Sequence, residues 1–345
     1  MIEEYSLIFS RNCNLKCTYC VQYHEELDME KQVIESFFYK VMKKKDFKEE
    51  IVIYWWEPTL NLKWFRYLQE ILNLLNPKLI NENRKILIRI DTNWCFSKEI
   101  IDIFCYINKL DSIILSIDVS IDWVKLTNDK YRLTKKWDSY FYILESNILL
   151  MKEKWLKIRG AVVIPYINYS FRENIIYLLD YLKLDELIFM PQMMMNNFSF
   201  LKRNQINLND FKKFMTSYNI NLKWFAKFIY ENPAYMKKIA NFNLNTYYDI
   251  LDVPFWPCLD YDWKIYKTRV FFHGYKWKLF WQTKNNILIN SLDEIEKDFY
   301  ISNYKTEVNL LTKEFTWEFY NINFIIIKNF NKLVYKIKQS SNYIY

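Results

Sequence analysis

Glycine is nearly missing from this chain. Its 345 residues hold two, Gly160 and Gly274, where average usage of ~7% would supply roughly two dozen. A backbone needs glycine where φ is positive or where it closely approaches a ligand. Asn is abundant and can fill some left-handed turns, but it cannot supply a bare backbone beside a cofactor. Long apolar runs are also lacking: none reaches the ~18 residues of a helical membrane span, which argues against a membrane partner. Met1 leads directly to Glu3 and Glu4 rather than to a basic leader, so a cytoplasmic location is expected. Histidine is confined to His24 and His273, and neither forms a catalytic triad with identifiable partners. Tryptophan is the opposite extreme, at thirteen residues.

Hydrophobic residues at 51% and charged residues at 26% give an ordinary globular balance, enough for one large domain or two modest ones. The net charge of +8 is spread over helix-like faces, with short clusters such as Lys43-Lys44-Lys45. Tyr and Phe are dispersed through core-like segments rather than grouped with Arg, which argues against a nucleic-acid partner. Short apolar runs at 5–10, 51–54, 86–90, 112–118, 157–164 and 186–190 read as strands. Helical patterns at 28–45, 62–76, 97–109, 138–154 and 171–183 separate them. Such alternation predicts a parallel βα array. Six units are too few for a closed eight-fold barrel and fit an open, partial (β/α)6 TIM-like barrel. Past about residue 200 the pattern changes to helices at 208–248 and short β-like pieces within 254–290. The expected division is 1–205 for the barrel and 206–345 for a smaller α+β C-terminal region.

The first strand runs into Ser10-Arg11-Asn12-Cys13-Asn14-Leu15-Lys16-Cys17-Thr18-Tyr19-Cys20. Three thiolates at C-x3-C-x2-C let one loop wrap three corners of an iron–sulfur cube and leave the fourth iron open. Zinc would need a fourth ligand, for which His24 is a candidate. The segment, with an aromatic before its last cysteine, resembles the signature of the radical S-adenosylmethionine (SAM) superfamily. That resemblance implies a [4Fe–4S] cluster on Cys13, Cys17 and Cys20, with SAM chelating the open iron and Tyr19 beside the adenine. One-electron cleavage of SAM would yield a 5′-deoxyadenosyl radical that abstracts hydrogen from a substrate.

The family's Gly-Gly-Glu-Pro motif corresponds to Trp55-Trp56-Glu57-Pro58-Thr59-Leu60, with both glycines written as Trp. The third strand ends Thr92-Asn93-Trp94 where relatives end Thr-Asn-Gly. The fourth gives Ser116-Ile117-Asp118, similar to the common Ser-x-Asp. Tyr261-Asp262-Trp263-Lys264-Ile265-Tyr266 resembles an Asp-Gly-Lys-Ile-Tyr hairpin, and Asp-Trp is a poor turn. The resemblance implies SAM contacts from Tyr19, Trp55, Trp56, Glu57, Asn93, Ser116 and Asp118. Val162, Val163 and Ile164 line either the adenine or plain core. One reading of the exchange is that in-frame UGA codons mean glycine in the source lineage and are written as Trp. The other is that the tryptophans are real and the chain is a degenerate, non-catalytic iron–sulfur relative. Two rings at 55 and 56 would occupy the space SAM needs, so the polypeptide as written is expected to bind SAM poorly.

Cys95 and Cys105 lack ligand spacing and read as ordinary thiols. Cys258 resembles the first ligand of the auxiliary-cluster (SPASM or twitch) domains, but no cysteine follows it, so the C-terminal region is expected to be a twitch-like remnant without a second cluster. Met193-Met194-Met195 line either a pocket or core. The style is closest to the branch that contains peptide- and sulfatase-maturing enzymes. That implies a peptide or protein substrate, with a small molecule still open, and an electron donor such as flavodoxin or ferredoxin.

Overall fold

In the computed structural model, residues 4–18, 20, 26–44, 50–54, 56–94, 96–164, 171–191, 238 and the strand segments 258–259, 264–266 and 279–282 are described. Six parallel strands alternate with helices: β1 (Glu4–Leu7), α1 (Lys31–Lys43), β2 (Glu50–Ile53), α2 (Leu62–Asn81), β3 (Ile86–Thr92), α3 (Lys98–Ile107), β4 (Ile113–Ser120), α4 (Lys125–Tyr131), α5 (Phe141–Glu153), β5 (Ile158–Ile164), α6 (Phe171–Ile176) and β6 (Glu186–Pro191). A π-helical turn, Tyr177–Tyr181, extends α6. The strand order β6-β5-β4-β3-β2-β1 follows the chain, so each crossover lands beside its predecessor. The expected α/β partial barrel is therefore present.

Strand alternation divides the barrel into two environments. On β3, Ile86, Ile88 and Ile90 are buried and join the main core, while Leu87, Arg89 and Asp91 on the other face are only half-buried. The outer core is aromatic between helices and sheet. Phe65 of α2 meets Phe9 edge-on at 5.8 Å and Phe104 of α3 at 5.6 Å. A smaller cluster of Ile8, Val52 and Tyr54 lies apart from it. Register joins Val52 to Arg89, Arg89 to Ser116, and Asp118 to Arg159, so one barrel face carries a row of charged and polar side chains.

Differences from the sequence pattern have local causes. Helix α2 passes through Pro77 for another turn instead of stopping at 76, and Leu79 in that turn is fully buried. Helix α4 leaves no periodic apolar signal in the sequence: it has seven residues, and its buried side chains are Thr127, Asn128 and Tyr131.

Strands β7 (Cys258–Leu259), β8 (Lys264–Tyr266) and β9 (Leu279–Gln282) extend the same sheet from β1, which has nine strands among the described residues. β7 lies parallel to β1, and β7 and β8 pair antiparallel as the 261–266 hairpin reading expected. The 206–345 region thus contributes strands to the barrel sheet itself.

Gly160 on β5 is required by close packing. A Cβ there would lie 2.8 Å from Leu184 Cδ1 and 2.9 Å from Leu187 Cδ2, both in buried leucines. Gly160→Ala is expected to lower stability by about 1–3 kcal/mol, read by chemical denaturation.

Candidate active site

The cysteine loop follows β1 at the carboxyl end of the strands, where βα barrels place their chemistry. It is clamped by the segment after α4. Lys16 N donates to Leu133 O at 2.7 Å, Thr18 N donates to Tyr131 O at 2.8 Å, and Leu15 forms an antiparallel bridge with Thr134. Lys135 N donates to Asn14 O at 3.2 Å. A seven-residue helix without a periodic signal in the sequence therefore delivers the segment that shapes the loop.

All three cysteines are free thiols. Cys13 is buried, and Cys17 and Cys20 are half-buried. Burial pushes the Cys13 thiol far up, and the charges of Glu57, Cys17 and Cys20 add to it. Cys17 is pushed up to about 12 by burial, while the Arg132 guanidinium pulls the other way and Cys20 adds to the rise. Cys20 thus opposes the thiolates of both Cys13 and Cys17, and Cys17 that of Cys13, an electrostatic condition a cationic iron–sulfur core relieves. Among the described residues, no three Cys, His, Asp or Glu side chains are gathered as a metal group. The fit rests on the donor chemistry, the shared loop and the mutual charge coupling.

Two further loops converge on this one. Glu57 N donates to Asn12 O at 3.0 Å, tying the loop after β2 to the cysteine loop. The fully buried Glu57 carboxylate accepts from Thr59 N at 3.1 Å, from Thr92 Oγ1 at 2.6 Å, and from Thr59 Oγ1 and Asn93 N. Burial raises its pKa, and these hydrogen bonds oppose the rise. Asn93 donates from Nδ2 to Asn14 Oδ1 at 2.7 Å and approaches Cys13 Sγ at 3.6 Å. The ends of β2 and β3 are thereby locked to the cysteine loop through Glu57 and Asn93.

Behind Cys17 lies a buried polar group absent from the sequence reading. Arg132 Nε donates to Asp122 Oδ2 at 2.9 Å, and both residues are almost fully buried. Asp122 N donates to Asn128 Oδ1 at 3.1 Å, and Asp122 Oδ1 accepts from Val163 N at 3.3 Å. Arg132→Ala removes the buried cation beside Asp122 and the anchor beneath the clamp. The expected loss is about 3–5 kcal/mol of stability, measured by denaturant titration.

Asp118 is 5% exposed and receives a bidentate pair from Arg159, at 2.6 and 2.8 Å, with Arg89 Nε at 3.7 Å. Arg89 also bridges Glu50 at 2.9 Å and Asp91 at 3.2 Å. Ser116 is half-buried, in register with Arg89. Asp118 and Ser116 thus share a face with a charged row. Its signal in the sequence is the Arg89–Asp91 alternation inside an otherwise apolar strand. Trp56 is half-buried, with the Arg11 guanidinium 5.8 Å from its ring centroid. Tyr19, Trp55, Cys95, His24, His273 and Met193–Met195 lie outside the described residues, as does the side chain of Cys258.

A loop of three cysteines at the mouth of a partial βα barrel, locked to a Glu-Pro loop, defines the class. Residues 7–175 match the model of the Radical SAM superfamily, and this stretch is a radical SAM domain, of a family of enzymes that use a [4Fe–4S] cluster and SAM. No curated protein matches it significantly in sequence. Among solved structures, anSMEcpe with bound AdoMet and the Cp18Cys peptide is similar at TM-score 0.67 and 18% identity, covering 99% of this chain and 100% of that one. Native anSMEcpe with bound AdoMet alone is similar at TM-score 0.65 and 17% identity, covering 98% and 99%. Streptococcus suis SuiB bound to the precursor peptide SuiA reaches TM-score 0.53 and 17% identity, covering 86% of this chain and 64% of that one. At these identities the likeness is one of fold. Among the described residues, no helix is long and apolar enough to cross a membrane.

Proposed function

We propose that the chain holds its cluster on Cys13, Cys17 and Cys20 and acts on a peptide or protein substrate. When bound, the cluster and SAM supply a 5′-deoxyadenosyl radical able to take hydrogen from an unactivated position. The protein's share is placement and shielding. Asn93 sets the Cys13 side of the loop, the clamp at 131–135 sets the Cys17 side, and Glu57 fixes the loop on which SAM's amino group would rest. Ser116 and Asp118 extend that surface down the barrel face, with Arg159 and Arg89 holding Asp118 in place.

The observation that carries the reading is the Glu57–Asn93–Cys13 linkage, which joins the ends of two strands to the thiol loop. The peptide assignment draws on two fold neighbours whose bound partners are peptides, anSMEcpe with Cp18Cys and SuiB with SuiA. A flavodoxin or ferredoxin is the proposed electron donor. The test is anoxic reconstitution, with iron and sulfide, of the chain carrying glycine in place of Trp55, Trp56 and Trp94, followed by measurement of 5′-deoxyadenosine from SAM under reducing conditions. Formation above the cluster-free control, increased by a peptide encoded beside the gene, supports the proposal. No 5′-deoxyadenosine from cluster-loaded protein would favour the non-catalytic reading, for which the bulky Trp56 beside Glu57 is the specific argument.

A further inference from the structure

The backbone separates the tryptophans into two groups. Seven described non-glycine residues have positive φ: Trp56 (50°), Asn83 (50°), Trp94 (69°), Trp123 (70°), Trp137 (67°), Trp155 (61°) and Lys183 (57°). Five of the seven are tryptophan. A left-handed conformation sets Cβ against the following carbonyl in every L-residue, Asn being the usual tolerated exception. Nothing in an indole favours that region, so chance placement does not account for five.

Hydrogen bonding at these positions has the form glycine normally occupies. After α5, Trp155 N donates to Lys152 O at 3.0 Å and Leu156 N donates to Met151 O at 3.2 Å. These are the two bonds of a Schellman helix end, with Trp155 at its left-handed residue. The same pair of bonds closes α2 around Asn83, through Asn83 N to Ile80 O and Arg84 N to Leu79 O, both 2.9 Å. Trp137 completes a turn in which its N donates to Thr134 O at 2.9 Å while Thr134 N donates to Asp138 O at 3.1 Å. That is a three-residue hairpin loop with a left-handed third residue, a glycine position. Trp94 lies two residues past the end of β3, Trp123 three residues past the end of β4, and Trp56 directly precedes Glu57.

Trp64 is the contrast. It lies in the first turn of α2, is 6% exposed, and packs at 6.2 Å against Tyr67. The contrast is its helical backbone, not its burial, since the rings of Trp94 and Trp123 are also fully buried and Trp123 Nε1 donates to Val163 O at 2.9 Å.

We infer that the natural polypeptide carries glycine at 56, 94, 123, 137 and 155, specified by in-frame UGA codons, and tryptophan at 64. Backbone sign and turn type carry this assignment whether or not the proposed catalysis holds. Each left-handed non-glycine residue costs roughly five- to thirtyfold in the folding equilibrium constant. Five such factors multiply to roughly three thousandfold even at the low end, an implausible load for a marginally stable domain.

Three measurements test it. The gene is expected to read UGA at the five positions and UGG at 64; UGG at any of the five, or UGA at 64, overturns the assignment. In protein from the source organism, the tryptic peptides that begin at 137 and 155 should carry an N-terminal glycine by mass, and tryptophan there overturns it. In the polypeptide as written, Trp155 is 90% exposed, so removing its ring forfeits little packing. Trp155→Gly should raise the folding equilibrium constant roughly five- to thirtyfold over Trp155→Ala. Equal stability of the two variants would refute a glycine-requiring backbone, whether or not the protein proves active.

Discussion

Alanine at Cys13, Cys17 or Cys20, taken singly in a chain with glycine at 55, 56 and 94, will abolish the iron–sulfur absorbance of anoxically reconstituted protein and reduce SAM cleavage to background. An iron–sulfur cube held by three protein thiolates has no spare ligand, and losing one leaves two irons open to solvent and exchange. The loop geometry makes substitution from elsewhere ineffective. Cys105 sits on α3 within the helical layer, away from the β1 loop, so Cys105→Ala should leave absorbance and turnover unchanged. Asn93→Ala should fall between these limits. It removes the amide facing Cys13 Sγ, and loss of such an outer-shell partner typically weakens metal retention about 10–100-fold. Iron quantitation during chelator challenge separates the three cases. Retention of a full cluster by any single cysteine variant would refute the assigned ligand set.

The strands were legible because each is a short apolar run bounded by helix-like periodicity. Parallel order followed from that alternation, and the structure keeps chain order across the whole βα sheet. The thiol ligands were legible because their spacing is local. What escaped was information stored between segments. The pairing of Asp118 with Arg159 spans 41 residues and exists only because β4 and β5 take one register. The Arg132–Asp122 pair lies on either side of a helix without an apolar stripe, so neither the helix nor the pair leaves a periodic trace. Glu57 was read as a SAM contact from its motif. The structure adds that its carboxylate is occupied by Thr59, Thr92 and Asn93, a role no spacing rule encodes. Tryptophan shows the same division of labour. Composition revealed that it stood where glycine was due, but only backbone dihedrals could assign that statement to 56, 94, 123, 137 and 155 and withhold it from 64.

Glu57 is therefore the residue whose loss should spread furthest beyond its own position. Its side chain collects donors from the turn after β2 and from the end of β3, while its backbone N holds Asn12 of the cysteine loop. Glu57→Ala leaves Thr92 Oγ1, Thr59 N and Asn93 N in a buried site without their shared acceptor. Hydrogen bonds to a charged group contribute about 1.5–3 kcal/mol each and are not additive when they share one acceptor. A total loss of about 3–5 kcal/mol is the reasonable scale, against an overall stability of about 5–15 kcal/mol. Glu57→Gln should cost less. It keeps the size and one acceptor oxygen, but turns an amide N–H toward the second set of donors. The order wild type, Gln, Ala should appear in denaturant midpoints. Cluster retention should follow the same order, because Asn93, which faces Cys13, is positioned by the same carboxylate. Equal stability of Ala and wild type would mean that the three loops are held together by something other than Glu57.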